Sequence, residues 1–223
     1  MQKVPKKITF RKLWRKTRHA RGFLTKAEAF KLFRMAARKN PPGDIVEIGA
    51  HEGKKTAFLA AGAARSGKDV IAIDPFVGRT WLLDILDEDK PLQSMEANFI
   101  REAPGEKEAM TRFWATLEDA GLDDYVSLAL IESQQVEADS DISLLVIDGD
   151  HRGAAVAADL NTFLPKVVEN GCVIFPDFAN PRYQSRQELV KTLSRHPRVA
   201  SCFVVGSLWG AILGPPDAED DAD

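Results

Sequence analysis

The stretch that decides the fold spans positions 44–53 and reads Asp44-Ile45-Val46-Glu47-Ile48-Gly49-Ala50-His51-Glu52-Gly53. Its apolar, β-branched residues follow a Pro-Pro-Gly breaker and lead through an acid to two glycines, which is typical of a buried strand that ends in a tight turn. The alanine-rich segment 55–65 follows at once and predicts a helix, in which Gly62 is the one weak position. Strand, glycine turn and helix together predict the first half of a nucleotide-binding βαβ unit.

The spacing of the glycines indicates which nucleotide the turn suits. A dinucleotide site needs Gly-x-Gly-x-x-Gly, but this turn has only Gly49-x-x-x-Gly53 with Glu47 before it, which argues against NAD. The pattern resembles motif I of the class I S-adenosylmethionine-dependent methyltransferases. That resemblance implies that the turn, including Ala50 and His51, wraps the methionine part of the cofactor and that Glu47 lies under its amino group. The alternative interpretation is an ordinary α/β scaffold.

The bulk properties predict a single α/β domain with a short extension, because 223 residues suffice to bury a core without disulfides or metals. No apolar run of membrane-spanning length and no apolar block of a signal peptide is found, so the expected location is the cytoplasm. Cys172 and Cys202 lie in apolar, strand-like segments without metal-ligand spacing, and we expect both to be buried free thiols.

The net charge of −3 averages two opposite ends of the chain. Residues 1–26 hold ten Lys or Arg and no acid, whereas 217–223 are almost all Asp, Glu and Ala. Basic and apolar residues alternate over 6–21, which predicts a helix that either docks on the domain or contacts an anionic membrane or an acidic partner. The predicted organisation is a basic helical extension (1–40), a methyltransferase domain (41–214) and a disordered acidic tail (215–223).

A second buried strand is predicted over 69–74, and it ends in an acid 25 residues beyond Gly49. In a doubly wound sheet this acid, Asp74, lies beside the glycine turn, where a carboxylate can accept the hydroxyls of a ribose. The alternative is a plain turn cap. A third strand over 125–131 leads to Ser133, which we expect near the adenine. The long connection 76–105 is predicted to be a lid or binding loop that sets the acceptor.

Two further strands deliver an Asp at their carboxyl ends. The apolar run 142–147 leads to Asp148, and 171–175 leads to Asp177. The two carboxylates are therefore predicted to converge at one edge of the sheet, where oxygen ligands with spare water positions suit Mg²⁺. His151 follows Asp148 by about one helical turn, and a neutral imidazole suits removal of a hydroxyl proton. The alternative is that these acids only cap turns and that His151 merely starts a helix.

A more specific resemblance rests on Ile147-Asp148-Gly149-Asp150-His151, on Asp159-Leu160, and on Asn170-Gly171-Cys172-Val173-Ile174-Phe175-Pro176-Asp177. These segments resemble the macrocin-type O-methyltransferases, which are related to the catechol and caffeoyl-CoA enzymes. The resemblance implies Asp148 and Asp177 as Mg²⁺ ligands and His151 as general base, with Asp148 also facing the cofactor. The chain departs from the pattern at Phe178, where related metal-dependent enzymes have an Asp or Asn ligand.

The end of the chain completes the predicted fold. Apolar runs at 199–205 and 208–213 flank Gly206-Ser207, which predicts a hairpin. The expected fold is therefore a Rossmann-like, doubly wound, seven-stranded and mostly parallel sheet with a C-terminal antiparallel hairpin, an ending that a Rossmann dehydrogenase lacks.

The leading hypothesis is an S-adenosylmethionine-dependent O-methyltransferase for a hydroxyl of a small acceptor, such as a sugar, a glycoside or another natural-product-like molecule, assisted by Mg²⁺. The alternative is a non-catalytic module that binds anionic membrane or nucleic acid through its basic N-terminus. The absence of an aromatic stacking platform beside the basic residues argues against nucleic acid. The sequence carries no signal for the oligomeric state.

Overall fold

The computed structural model describes residues 8–76, 105–137, 139–180 and 184–215. Residues 77–104 of the predicted acceptor loop (76–105) and residues 216–223 of the predicted tail (215–223) lie outside these ranges, as do the first seven residues.

Six α-helices and seven strands lie along the described chain. The helices are α1 (Phe10–Lys16), α2 (Lys26–Ala36), α3 (Lys54–Ser66), α4 (Glu106–Ala120), α5 (Gly153–Phe163) and α6 (Gln184–Leu193). The strands are β1 (Asp44–Ile48), β2 (Val70–Ile73), β3 (Val126–Ala129), β4 (Ile142–Ile147), β5 (Val167–Phe175), β6 (Val199–Val205) and β7 (Leu208–Leu213).

The seven strands form one sheet in the order β3-β2-β1-β4-β5-β7-β6. Strands β1 to β5 pair in parallel, and β7 pairs antiparallel with both β5 and β6. The predicted fold class is confirmed. The order reverses between β1 and β4, and the carboxyl ends on either side of such a switch point enclose the ligand crevice of open α/β sheets.

Two apolar cores lie on the two faces of the sheet. Along β4, Leu144 and Val146 pack with α1 to α4, while Leu145 and Ile147 pack with α5 and α6. Because successive side chains of a strand point to opposite faces, a strand between two helical layers must be apolar throughout. All six residues of β4 are buried, as expected from this run.

The apolar residues of the basic N-terminal segment pack on the domain. Leu13 of α1 is fully buried, and the rings of Phe10 and Trp14 lie 5.6 and 6.0 Å from the ring of Phe58 in α3. Lys16 Nζ reaches the Asp119 carboxylate of α4 at 2.9 Å. The apolar residues of α1 are therefore packed inside the fold. Of the alternatives above, the structure shows the helix docked on the domain.

Helix α2 begins with a capping box and ties the C-terminal hairpin to the domain. The Glu28 carboxylate accepts a hydrogen bond from the Thr25 amide at 2.7 Å, and Thr25 Oγ1 accepts one from the Glu28 amide. Glu28 also accepts hydrogen bonds from the amide and the hydroxyl of Ser207, at 2.7 and 2.8 Å, in the turn between β6 and β7. The buried Glu28 carboxylate thus accepts hydrogen bonds from both the start of α2 and the turn between β6 and β7.

Two sequence interpretations need correction. Cys202 is exposed on the edge strand β6, so only Cys172 is the buried thiol we expected. Gly62 is more than a weak helix position, because a Cβ there would lie 2.5 Å from Ala36 Cβ and 2.7 Å from the carbonyl oxygen of Phe33. Its missing side chain allows α2 and α3 to pack closely.

Within the described ranges, no helix combines the length and the apolar character needed to cross a membrane.

Candidate active site

The glycine turn after β1 is built around close backbone approaches. Gly49 has φ 86°, and a Cβ at this position would lie 2.3 Å from the carbonyl oxygen of Asp148. Gly53 has φ 77° and precedes the first residue of α3. Both positions favour glycine because their backbone is left-handed. At Gly49 the turn lies directly against the end of β4, where Asp148 follows the strand.

Asp74, at the end of β2, holds the glycine turn. Its Oδ2 accepts hydrogen bonds from the amides of Ala50 and His51 at 2.9 and 2.8 Å, and its Oδ1 accepts one from the amide of Phe76 at 2.7 Å. Burial raises the pKa of Asp74 above its ordinary value, although the three hydrogen bonds oppose the shift. The sequence placed Asp74 correctly beside the turn but did not foresee that it bonds to the turn's backbone.

Glu47 is fully buried beneath the turn. Its Oε2 accepts a hydrogen bond of 2.5 Å from the Thr56 hydroxyl of α3, whereas its Oε1 accepts none from the described residues. Burial raises the pKa of Glu47 to about 8, with Lys55 and Thr56 opposing the shift. A buried carboxylate oxygen without a donor is costly and marks a position that a ligand's N–H group can complete.

His51 lies in the turn itself, with a left-handed backbone of φ 49°. Burial lowers the pKa of its imidazole to about 4, and the positive charges of Lys55, Arg21 and Arg112 lower it further. His51 is therefore neutral at pH 7.

The main feature that sequence reasoning missed is Lys55. Its Nζ lies 2.7 Å from Asp148 Oδ2, and the two side chains are only 13% and 8% exposed. Burial lowers the pKa of Lys55, but Asp148, Glu47 and Asp177 together raise it above its ordinary value. The ammonium is thus charged and connects the start of α3 to the end of β4.

Asp177 follows β5 in a left-handed conformation, with φ 55°. The hydroxyl of Ser207, in the β6–β7 turn, lies 3.4 Å from its Oδ1. Asp148 and Asp177 follow the neighbouring strands β4 and β5, and both attract Lys55. The two carboxylates predicted to converge at this edge thus have the ammonium of Lys55 as their common positive partner.

The segment before α5 is fixed by Asp150. Its carboxylate accepts hydrogen bonds of 2.8 Å from both the amide and Nε of Arg152. Asp150 therefore caps this turn. His151, the predicted base, is half-buried between these two residues and three positions after Asp148.

Ser133, the predicted contact near the adenine, lies in the turn that follows β3. Its hydroxyl donates a hydrogen bond of 2.5 Å to Asp159 of α5, and Gln134 Nε2 donates to the same oxygen at 3.0 Å. Asp159 is 1% exposed, and burial raises its pKa to about 6. The sequence pointed to Ser133 and to Asp159 separately, but it did not predict that the two side chains contact each other.

The comparisons with known proteins agree with this architecture. A family model described as a methyltransferase domain matches residues 46–178, which is more than half of the chain. The chain belongs to this methyltransferase family.

Several solved structures share the fold of this methyltransferase. The O-methyltransferase NovP is 19% identical, with 85% of this chain and 80% of NovP covered and a TM-score of 0.63. An O-methyltransferase from Bacillus cereus in complex with SAH is 18% identical, with coverages of 94% and 92% and a TM-score of 0.55. CalS11, a TDP-rhamnose 3'-O-methyltransferase, is 14% identical, with coverages of 82% and 76% and a TM-score of 0.53.

Glu52 is a second residue of the methyltransferase domain that sequence reasoning did not assign. It is buried in the glycine turn and accepts hydrogen bonds from the Arg21 amide at 2.9 Å and from Arg112 Nη1 at 3.3 Å. It thus joins the turn to the N-terminal segment and to α4. The available signal was an acid between two glycines, but its partners are 31 and 60 positions away.

Proposed function

We propose that this protein transfers the methyl group of S-adenosylmethionine to a hydroxyl group of a small acceptor. Membership of the methyltransferase family supports methyl transfer. Neighbours described as O-methyltransferases, one of them acting on TDP-rhamnose, support an oxygen acceptor on a sugar or a related natural product. The observation that carries the proposal is Glu47 Oε1, which is buried beside the glycine turn and accepts no hydrogen bond from the described residues.

The proposed cofactor site surrounds the glycine turn. The cofactor's amino group would donate to Glu47 Oε1, which replaces the missing donor and lowers the high pKa of that carboxyl. Asp74 would accept a ribose hydroxyl, because a carboxylate offers about four acceptor positions and three are used by amides. Ser133 would lie at the adenine, and Asp148 would face the methionine part.

The proposed reaction is a direct in-line transfer. The cofactor supplies the methyl group as an activated sulfonium. His151 takes the acceptor's hydroxyl proton while the oxygen bonds to the methyl carbon and the carbon–sulfur bond breaks, with its electrons left on sulfur. The protein contributes orientation and charge placement, which are the main sources of rate for such a transfer.

The predicted magnesium ion has a poor fit to the described residues. Its ligands would be Asp148 and Asp177, but Asp148 Oδ2 is already ion-paired with Lys55 at 2.7 Å. The side chain of Phe178, next to Asp177, offers no oxygen. Within the described part of the chain, no group of three His, Cys, Asp or Glu side chains is arranged to hold a metal. The proposed reaction therefore includes no step through a metal.

Calorimetry with S-adenosylhomocysteine, the expected product, tests the cofactor claim. We expect saturable 1:1 binding to the full chain and at least about tenfold weaker binding to Glu47→Gln, which keeps the shape of the side chain and removes its charge. Methyl transfer from labelled S-adenosylmethionine to a panel of sugars, glycosides and phenols then tests the acceptor class. Absence of binding to the folded wild-type chain contradicts the proposal.

A further inference from the structure

Lys55 occupies a position that is unfavourable for a cation. It is the second residue of α3, and the amino end of a helix disfavours positive charge. Its side chain is also 13% exposed, so its ammonium has lost most of its hydration. Neither effect stabilises the fold, and an uncharged residue would avoid both.

Two aspartates offset these costs. Asp148 pairs directly with Lys55 Nζ at 2.7 Å, and the negative charge of Asp177 attracts the ammonium at longer range. These two acids follow the neighbouring strands β4 and β5 at the carboxyl edge of the sheet, where the crevice lies. One buried ammonium thus neutralises part of a strongly acidic crevice.

The partners of Lys55 are also the oxygens that a divalent cation would use. Asp148 and Asp177 are the two predicted Mg²⁺ ligands, and Mg²⁺ binds such sites through one or two carboxylates. An ammonium at 2.7 Å from Asp148 Oδ2 and a magnesium ion on the same oxygen would repel each other strongly in a buried site.

We propose that Lys55 is the resident cation of the crevice and takes the place of a divalent metal. The inference rests on the proposed function and deepens it, because it assigns the charge that holds Asp148 and Asp177 together while an acceptor hydroxyl approaches. Lys55 remains protonated throughout, and the hydroxyl proton passes to His151. Lys55 is therefore a positioning residue, and turnover needs no added divalent ion.

Titration of the full chain with MgCl₂ in a calorimeter tests the proposal directly. The wild-type chain is expected to show no saturable Mg²⁺ binding at millimolar concentrations. Lys55→Met keeps the length of the side chain and removes its charge, so it should gain a 1:1 Mg²⁺ site, at least about tenfold tighter than in the wild type. The double variant Lys55→Met/Asp148→Asn should lose that site.

Lys54→Met is the matched control. Lys54 precedes Lys55 on the same helix, but its Nζ donates to the carbonyl oxygen of Gly22. This variant should bind no Mg²⁺, and Lys55→Arg should behave like the wild type because it keeps the charge.

Two outcomes overturn the proposal: wild-type Mg²⁺ binding that is lost in Asp148→Asn, or a folded Lys55→Met variant that gains no Mg²⁺ affinity. If Lys55→Met does not fold, the wild-type titration and the effect of EDTA on turnover decide the question. Binding of S-adenosylhomocysteine, measured on the same samples, separates failure of this proposal from failure of the proposed function.

Discussion

The carboxylate of Asp159 lies 2.5 Å from the hydroxyl of Ser133, so a buried acid in the middle of α5 holds the turn that follows β3. Burial raises the pKa of Asp159 to about 6, whereas an Asp in the unfolded chain titrates near 3.9. The folded state therefore binds the extra proton between about pH 4 and 6, and the wild-type chain should lose stability as the pH rises through that interval.

Asp159→Asn removes this ionisation and keeps the shape. We expect the free energy of unfolding of the variant, relative to the wild type, to increase from pH 4 to 6 and then to level off. Urea unfolding followed by circular dichroism at several pH values measures the difference. Ser133→Ala removes a hydrogen bond that lowers the pKa of Asp159. It should therefore extend the pH interval over which the chain loses stability to higher pH. Parallel curves for wild type and Asp159→Asn would contradict the argument.

Glu28 should show the opposite pH dependence. Burial opposes its ionisation, but the hydrogen bonds from Thr25 and Ser207 hold the pKa of this carboxyl below its ordinary value. Its stabilising contribution is therefore present above the unfolded pKa and is lost as the pH falls through the lower, folded pKa. Glu28→Gln should cost about 1–3 kcal/mol at pH 7, and the deficit should shrink below about pH 4. A deficit that is constant between pH 3 and 7, measured by urea unfolding, would rule out this role.

The sequence predicted the fold well because its signals are local. The apolar run at 142–147 became β4 with the same bounds, and Gly206-Ser207 became the hairpin turn between β6 and β7. The start of β5 was predicted less accurately, because the strand begins at Val167 rather than at Gly171. Its first residues are mixed in polarity, and the apolar pattern starts only at Gly171.

The contacts of the candidate site were less predictable because they join distant positions. Asp74 was placed beside the glycine turn from strand order alone, but its bonds to the amides of Ala50 and His51 depend on how tightly the turn closes. Lys55 was overlooked for a related reason. A lysine in the first turn of a helix suggests a solvated side chain, and only the position of Asp148 shows that it is buried.

Gly49→Ala tests the close approach between β1 and the end of β4. The added Cβ would meet the carbonyl oxygen of Asp148 at 2.3 Å and force a left-handed alanine, so we expect a loss of more than about 2 kcal/mol in stability. Gly67→Ala is the matched control. Gly67 has a similar φ of 78° with no atom within 4 Å, and its cost should stay at the conformational term of about 1–2 kcal/mol. Equal losses of stability in Gly49→Ala and Gly67→Ala, measured by thermal or urea unfolding, would show that the close approach to Asp148 adds nothing to the cost of Gly49→Ala.

Asp74→Ala should weaken both the turn and the cofactor site. The amides of Ala50, His51 and Phe76 lose their acceptor, which should cost about 1–3 kcal/mol of stability. Binding of S-adenosylhomocysteine should weaken at least about tenfold, as measured by calorimetry. Asp74→Asn is expected to fall in between, since its carbonyl oxygen can still serve Ala50 and His51 but its NH₂ group cannot accept from Phe76. Unchanged binding in Asp74→Ala would remove this residue from the proposed site.

His151→Ala separates proton removal from cofactor binding. His151 lies between Asp150 and Arg152, whose mutual hydrogen bonds fix the turn before α5, so the substitution should leave that turn and the glycine turn intact. Turnover should fall by about 10²–10⁴-fold, the usual contribution of a general base, while affinity for S-adenosylhomocysteine stays within about twofold. His19→Ala, at an exposed position of the N-terminal segment, should keep full turnover. If His151→Ala also keeps it, the hydroxyl proton leaves by another route, and the acceptor's own acidity becomes the next quantity to vary across a series of phenols.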